Sequence, residues 1–148
     1  MRYQWKKLNN QQKGTYGEYF AKMEFTMFGF EVYTAEVDDR GIDFIARKGG
    51  KFFEVQVKTI TNQNQQFITE SKFKTSASFL VVLVRLVEGE SPTISVFSGD
   101  MWCSEDGLLI YKSYEGLKSA PEYRIQLTKG RVPLLENYSF EKFAATFQ

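Results

Sequence analysis

The order of apolar and polar positions predicts one long helix at the start of the chain. Asn9-Asn10 can cap a helix that continues to about Phe28. One face of this helix is predicted to be apolar, because large apolar side chains recur at spacings of three and four residues. They are Tyr16, Tyr19, Phe20, Met23 and Met27. Gly14 and Gly17 weaken a helix interior, so we expect a close-packing or functional reason for them.

Three strand patterns follow the helix. The first covers residues 30–34, and Arg40-Gly41 is predicted to turn the chain into a second strand at residues 42–47. Gly49-Gly50 is a strong hairpin signal, because glycine tolerates the positive φ angles of a tight turn. A third strand is therefore predicted at residues 51–59, antiparallel to the second.

The rest of the chain predicts a buried strand, further strands and a closing helix. Residues 79–87 are almost continuously apolar, which is typical of a strand buried on both faces. Further strands are predicted at residues 93–97, 108–111 and 123–127. A closing helix is predicted at residues 139–147, capped by Asn137 or Ser139.

One stretch leaves its secondary structure open. Residues 61–66 are predicted to be a polar loop, and residues 67–75 are compatible with a short helix or an extended segment. The whole order favours an α/β fold with a central mixed sheet flanked by helices. The length favours a single domain over residues 1–148, with a core at about 9–87 and additional elements at 88–148.

The third strand carries the pattern that matters most for chemistry. Phe53, Val55 and Val57 alternate with Glu54, Gln56 and Lys58, so the two sets point to opposite faces. Counted back from the Gly-Gly turn, Asp43 comes near the Gln56–Lys58 end of the hairpin. A carboxylate, a carboxamide and an ammonium group are thus predicted to converge.

This convergence suits a hard divalent cation. Asp43 would supply a charged oxygen, and the Gln56 side chain and the Val57 carbonyl would supply neutral ones. Magnesium keeps several waters, one of which can attack a phosphodiester while Lys58 orients it or stabilises the developing charge. Glu18 could reach the site from the helix and hold a second ion or a water. Glu54, about 6–7 Å along the strand, could share or form a second site.

Each of these residues also has a simpler interpretation. Lys58 could be a solvated strand end, and Asp43 a polar residue beside a turn. Thr15-Tyr16-Gly17-Glu18 matches a capping box, so Glu18 could cap a helix that starts later.

Composition narrows the chemistry further. The absence of histidine excludes mechanisms that need a histidine base or a histidine ligand, including most catalytic zinc sites. Cys103 is the single cysteine, so no intrachain disulfide forms, which suits a cytoplasmic location. No signal peptide is predicted, and the apolar run at residues 79–84 is too short to span a bilayer, so no membrane partner is expected.

Charge favours nucleic acid only locally, because the net charge is +1. Residues 1–13 hold four basic and no acidic side chains, and residues 47–74 hold six basic against two acidic ones. Both segments flank the predicted site, where a phosphate backbone would lie.

The pattern resembles the PD-(D/E)XK nuclease superfamily, which includes restriction endonucleases, Holliday junction resolvases and some homing endonucleases. The resemblance rests on Gly17-Glu18, Gly41-Ile42-Asp43 and Gln56-Val57-Lys58 and covers a little over half of the chain. It implies a restriction endonuclease-like fold and hydrolysis of DNA with Mg²⁺ or Mn²⁺. It departs from the superfamily pattern in two ways: no proline precedes Asp43, and Gln56 stands at the acidic position.

The sequence therefore predicts a metal-dependent DNA endonuclease. The alternative is a weak or inactive nuclease fold that binds nucleic acid or a protein partner, which the neutral Gln56 favours. A third interpretation is a purely structural domain. Cleavage of both strands of a duplex usually needs two sites, so a homodimer or higher homo-oligomer would suit the enzyme.

Overall fold

The computed structural model describes residues 1–34 and 41–147, and these form two α-helices and eight strands joined by loops and short 3₁₀-helices. The helices are α1 (Asn10–Met27) and α2 (Phe140–Ala145). The strands are β1 (Glu31–Thr34), β2 (Phe44–Lys48), β3 (Lys51–Thr61), β4 (Gln65–Thr69), β5 (Phe79–Leu86), β6 (Thr93–Ser98), β7 (Leu109–Lys112) and β8 (Glu122–Gln126). The predicted turn at Arg40 lies outside the described residues.

The strands form two sheets in the part of the chain that the structure describes. The larger sheet has the order β1-β2-β3-β5-β6, and the smaller has the order β4-β8-β7. The larger sheet is mixed, because β3 and β5 run parallel while its other neighbours are antiparallel. With helices packed against it, the predicted central mixed sheet flanked by helices is confirmed.

The β2–β3 hairpin forms as predicted. Gly49 and Gly50 have φ angles of +58° and +78°, the two positive values that a tight two-residue turn requires. Lys48 pairs with Lys51 across the turn, and the register continues to Phe44 opposite Val55. β3 extends to Thr61, so about half of it runs beyond the end of β2.

Two apolar cores cover the two faces of the larger sheet. The core on one face joins α1, α2 and the aromatic ring of Trp5 to one set of β3 and β5 side chains. The core on the other face lies between the two sheets and includes Ile60, Val81 and Leu83. β5 contributes to both, which confirms the prediction that this strand is buried on both faces.

The apolar face predicted for α1 is confirmed for Tyr16 and Phe20, which pack against the core, and wrong for the other three residues. Tyr19, Met23 and Met27 are 61%, 58% and 77% exposed. The helix instead buries Gly17, Ala21 and Phe25, which recur every four residues. Small residues face the sheet because the helix packs very close to it: a Cβ at Gly17 would lie 1.9 Å from Thr59 Oγ1.

Other predicted elements need smaller corrections. Part of the predicted polar loop and of the undecided segment forms β4, which a 3₁₀-helix at Glu70–Lys72 follows. The closing helix is confirmed with Ser139 as its cap, but it is shorter than predicted, and a 3₁₀-helix at Lys129–Tyr138 precedes it. Among the described residues, no helix combines the length and the apolarity needed to cross a membrane.

Candidate active site

The candidate site lies where β3 extends past β2, so that no strand among the described residues pairs with this edge of β3. Asp43 immediately precedes β2, whose first residue, Phe44, pairs with Val55 of β3. Its backbone N–H donates to the Val55 carbonyl over 2.8 Å, which extends the ladder by one residue. The pairing of β2 with β3 therefore places Asp43 beside the part of β3 with which no described strand pairs.

At this edge of β3, the Asp43 side chain accepts a backbone hydrogen bond of the kind that a neighbouring strand would accept. Its Oδ2 accepts a hydrogen bond of 2.7 Å from the Val57 N–H. Strand residues two positions apart turn their backbone groups to the same edge, so the Val57 carbonyl also points to this opening. A carboxylate and a backbone carbonyl are thereby held at one edge, as metal binding would need.

Gln56 is buried beside this edge. Its side chain is only 9% exposed, and no group among the described residues donates to its Oε1. Gly41 passes over it with a φ of +73°, a conformation that other residues rarely adopt. A Cβ at Gly41 would lie 3.4 Å from both Gln56 Oε1 and Lys72 Cδ, so Lys72 is also close. A buried oxygen without a donor is costly unless a cation or water satisfies it.

Helix α1 forms the other wall of a cleft of about 340 Å³. The lining residues are Gln11, Gly14, Thr15 and Glu18 from α1, and Asp43, Val57, Lys58 and Thr59 from the sheet. The helical residues recur at three- and four-residue spacing, so they share one face of α1. That polar stripe was a usable signal for Gln11 and Thr15, which the sequence analysis missed.

Glu18 belongs to this cleft and does not cap the helix. α1 begins at Asn10, and its capping box joins Asn9 to Gln12. The capping-box interpretation of Glu18 is therefore wrong. Glu18 Oε1 forms an ion pair of 3.1 Å with Lys22 one turn later.

Lys58 and Glu54 share a face of β3 but lie in different surroundings. Lys58 lines the cleft with Asp43 and Glu18. Glu54 does not line it, and both of its carboxylate oxygens accept hydrogen bonds from Lys74 Nζ, at 2.7 and 2.8 Å. The structure thus brings together Asp43, Val57, Lys58 and Glu18 in one cleft, whereas neither the buried Gln56 nor Glu54 lines it.

The oxygen ligands at this site suit a cation that binds neutral oxygens as well as carboxylates. No three acidic, histidine or cysteine side chains among the described residues come together as a metal site. Magnesium, however, commonly uses one or two carboxylates and completes its shell with water and substrate phosphate. Asp43 and the Val57 carbonyl match that requirement, while Gln56, whose Oε1 accepts from no described residue, is buried and does not line the cleft.

Two solved structures share this architecture over nearly their whole length. The Holliday junction resolvase Hjc from Archaeoglobus fulgidus aligns with a TM-score of 0.58 at 15% identity, covering 90% of this chain and 96% of the resolvase. The chain has the restriction endonuclease-like fold. The bacterial homing endonuclease I-Ssp6803I aligns with a TM-score of 0.58 at 18% identity, covering 95% of each chain. No protein-family model matches the sequence, and a search of the curated proteins found no match.

Proposed function

We propose that this chain is a metal-dependent DNA endonuclease of the PD-(D/E)XK type, which hydrolyses phosphodiester bonds in the cleft between α1 and the open edge of β3. The observation that carries the proposal is the Asp43 carboxylate, which accepts a hydrogen bond from the Val57 N–H and lines one cleft with Lys58 and Glu18. The restriction endonuclease-like fold supports it, because two nucleases with different DNA substrates are built on that fold.

Asp43, Gln56 and the Val57 carbonyl would hold Mg²⁺ or Mn²⁺. Such an ion would polarise the phosphodiester and favour ionisation of an attacking water. Glu18 would orient a water or a second ion from the helix side. Glu54 would have to leave Lys74 before it could act as a ligand, so we assign it no ligand role in the resting protein.

Lys58 would act on the reacting phosphate. It lines the same cleft as Asp43 and Glu18. An ammonium at that place stabilises negative charge on the phosphorane and orients the attacking water. Lysine is suited to this role, because its charge is compact and its stem is flexible.

The DNA backbone would approach along the cleft. Lys13 Nζ donates to Thr61 Oγ1 over 3.3 Å, just beyond the cleft, and Lys72 lies beside Gln56 on the other side. Gly14 lines the cleft without a side chain, so a phosphate can come close to the helix. These lysines would supply the sequence-independent part of DNA binding.

Cleavage of supercoiled plasmid, linear duplex and four-way junction DNA tests the proposal. We expect products with Mg²⁺ or Mn²⁺, none with EDTA, and at least about a hundredfold slower reaction for Lys58→Ala, since one preorganised charge-stabilising group is typically worth 10²–10³ in rate. Lys129→Ala is the matched control, because Lys129 lies in a 3₁₀-helix away from the cleft. Equal rates for wild type and Lys58→Ala would contradict the assignment.

The second candidate function is a nuclease-fold module that binds nucleic acid without cutting it. The neutral Gln56 favours it, because fewer anionic ligands weaken metal binding. Binding of the same DNA forms with no cleavage under either metal would establish this alternative and reject the enzyme.

A further inference from the structure

A second and larger groove lies at the other end of the β2–β3 hairpin. Its volume is about 660 Å³, close to twice that of the cleft. Its walls come from the start of β3, the end of β6 and helix α2. Lys51 and Lys58 mark the two sites on the same strand, and they lie seven residue steps apart, a distance of about 23 Å along the strand.

The walls are aromatic and the rim is basic. The aromatic side chains that line the groove are Phe52, Phe53, Tyr138, Phe143 and Phe147. Lys51 and Lys142 are its charged residues, and none of its described lining residues is acidic. Ser78 and Asn137 add hydrogen-bonding groups that can meet the edge of a planar ring. Ser98 also lines the groove, but its hydroxyl donates to the Asp100 carboxylate.

Two of the aromatic rings already lie under cations. The Arg47 guanidinium carbon is 5.3 Å from the centre of the Phe52 ring, and Lys51 Nζ is 5.5 Å from that of Phe147. Phe52 is 57% exposed, so its ring is accessible to a base. An exposed ring among cations is the arrangement that single-stranded nucleic-acid sites use.

We propose that this groove binds an unpaired segment of a nucleic-acid strand, with a base stacked on Phe52 or Phe147 and phosphates between Lys51 and Lys142. The planar aromatic walls suit a base better than an acyl chain, and the basic rim suits a phosphate. The partner class follows from the proposed function, but the binding requires neither metal nor hydrolysis.

The spacing predicts how long the strand must be. A stacked strand advances about 3.4 Å per nucleotide, so the 23 Å between the sites corresponds to roughly seven nucleotides. A strand held in the cleft would therefore reach the groove through an unpaired tail of about that length. We expect duplexes with a tail of about ten nucleotides to bind more tightly than blunt duplexes or duplexes with tails of about three.

Fluorescence anisotropy of a labelled oligothymidylate, measured in EDTA, tests the stacking. Phe52→Ala should weaken binding about tenfold, within the range measured for loss of one base–aromatic stack. Phe67→Ala is the matched control, because Phe67 is 55% exposed on β4 and lines neither groove nor cleft. Thermal melting of both variants verifies folding, and equal affinities of the two variants would overturn the proposal.

Salt dependence tests the phosphate contacts separately. Lys51→Gln and Lys142→Gln should each reduce the slope of log affinity against log salt by about 0.7, the value for one phosphate contact to a single strand. Unchanged slopes would place the backbone elsewhere and contradict the proposal. If thymidine monophosphate saturated the groove and the oligothymidylate did not compete with it, the occupant would be a free nucleotide. That result would also contradict the proposal.

The failure of this proposal is distinguishable from that of the proposed function. Binding that depends on Phe52 in a protein that cuts no DNA would support the groove and reject the enzyme. If cleavage depends on Lys58 but Phe52→Ala does not change the affinity for tailed duplexes, the enzyme proposal is supported and the groove proposal is rejected.

Discussion

Asp43 and Gln56 lie at the same end of the β2–β3 hairpin, but their side chains have different surroundings. Asp43 has a backbone donor for its carboxylate, whereas Gln56 is buried with an oxygen that no described residue satisfies. A glutamate at position 56 would bury a second carboxylate beside Asp43, which is costly without a cation. The neutral amide therefore suits a protein that must fold before a metal or DNA binds.

Replacing Gln56 by Glu should make the free energy of unfolding depend on whether a metal ion is bound. In EDTA, we expect Gln56→Glu to lower the free energy of unfolding, because a buried carboxylate must be protonated or desolvated. With Mn²⁺ the loss should be recovered, since a charged oxygen binds the cation more strongly than a neutral one. Thermal melting with and without Mn²⁺ measures both effects, and Gln126→Glu is the control in the smaller sheet.

An equal response of the Gln56→Glu and wild-type melting temperatures to Mn²⁺ would show that position 56 is not a ligand. Direct titration calorimetry with Mn²⁺ gives the same comparison as an affinity, and it should be tighter for the variant.

The presence of Asp43 and Lys58 in one cleft could be predicted from the sequence, because a two-residue turn leaves little freedom in register; Gln56 was predicted to join them, but it is buried and does not line the cleft. The surroundings of Glu54 could not, because Lys74 comes from a segment whose path depends on the smaller sheet. The ligand roles of all these residues stay predictions until a metal is measured.

At the scale of elements, α1 shows why hydrophobic periodicity misplaced a helix face. The large residues at positions 19, 23 and 27 point outwards, and the small residues Gly17 and Ala21 face β3. Close approach of a helix to a sheet requires small side chains, which a pattern of apolar bulk does not detect. β4 was missed for another reason: its polar residues pair with β8, which is about sixty residues away in sequence.

Alanine at Gly14 and at Gly17 should have opposite effects on stability. Gly14→Ala should raise the free energy of unfolding by about 0.5–1 kcal/mol, because a Cβ there meets nothing within 4 Å. Gly17→Ala should lower it by about 1–3 kcal/mol, since its Cβ would overlap Thr59. Urea denaturation of the two variants measures both values. Effects of the same sign would contradict the packing of α1 on β3.

At the scale of the whole molecule, the β2–β3 hairpin connects two sites with different chemistry. The open edge of β3 collects carboxylate, amide and ammonium groups, and the other end of the hairpin collects aromatic rings and lysines. A net charge of +1 conceals this arrangement, because acidic residues elsewhere balance the local basic groups. The proposed functions of both sites therefore depend on local charge.

The most direct test of the central claim is the rate at which Asp43→Asn cleaves supercoiled plasmid in Mn²⁺, compared with wild type. Asparagine retains an oxygen that can accept from the Val57 N–H, so the edge of β3 should stay intact and only the charge is lost. Metal-assisted charge stabilisation is worth several kcal/mol, so we predict cleavage slowed at least about a hundredfold, with an unchanged melting temperature in EDTA. Cleavage by Asp43→Asn at the wild-type rate would contradict the assignment of this cleft as the active site.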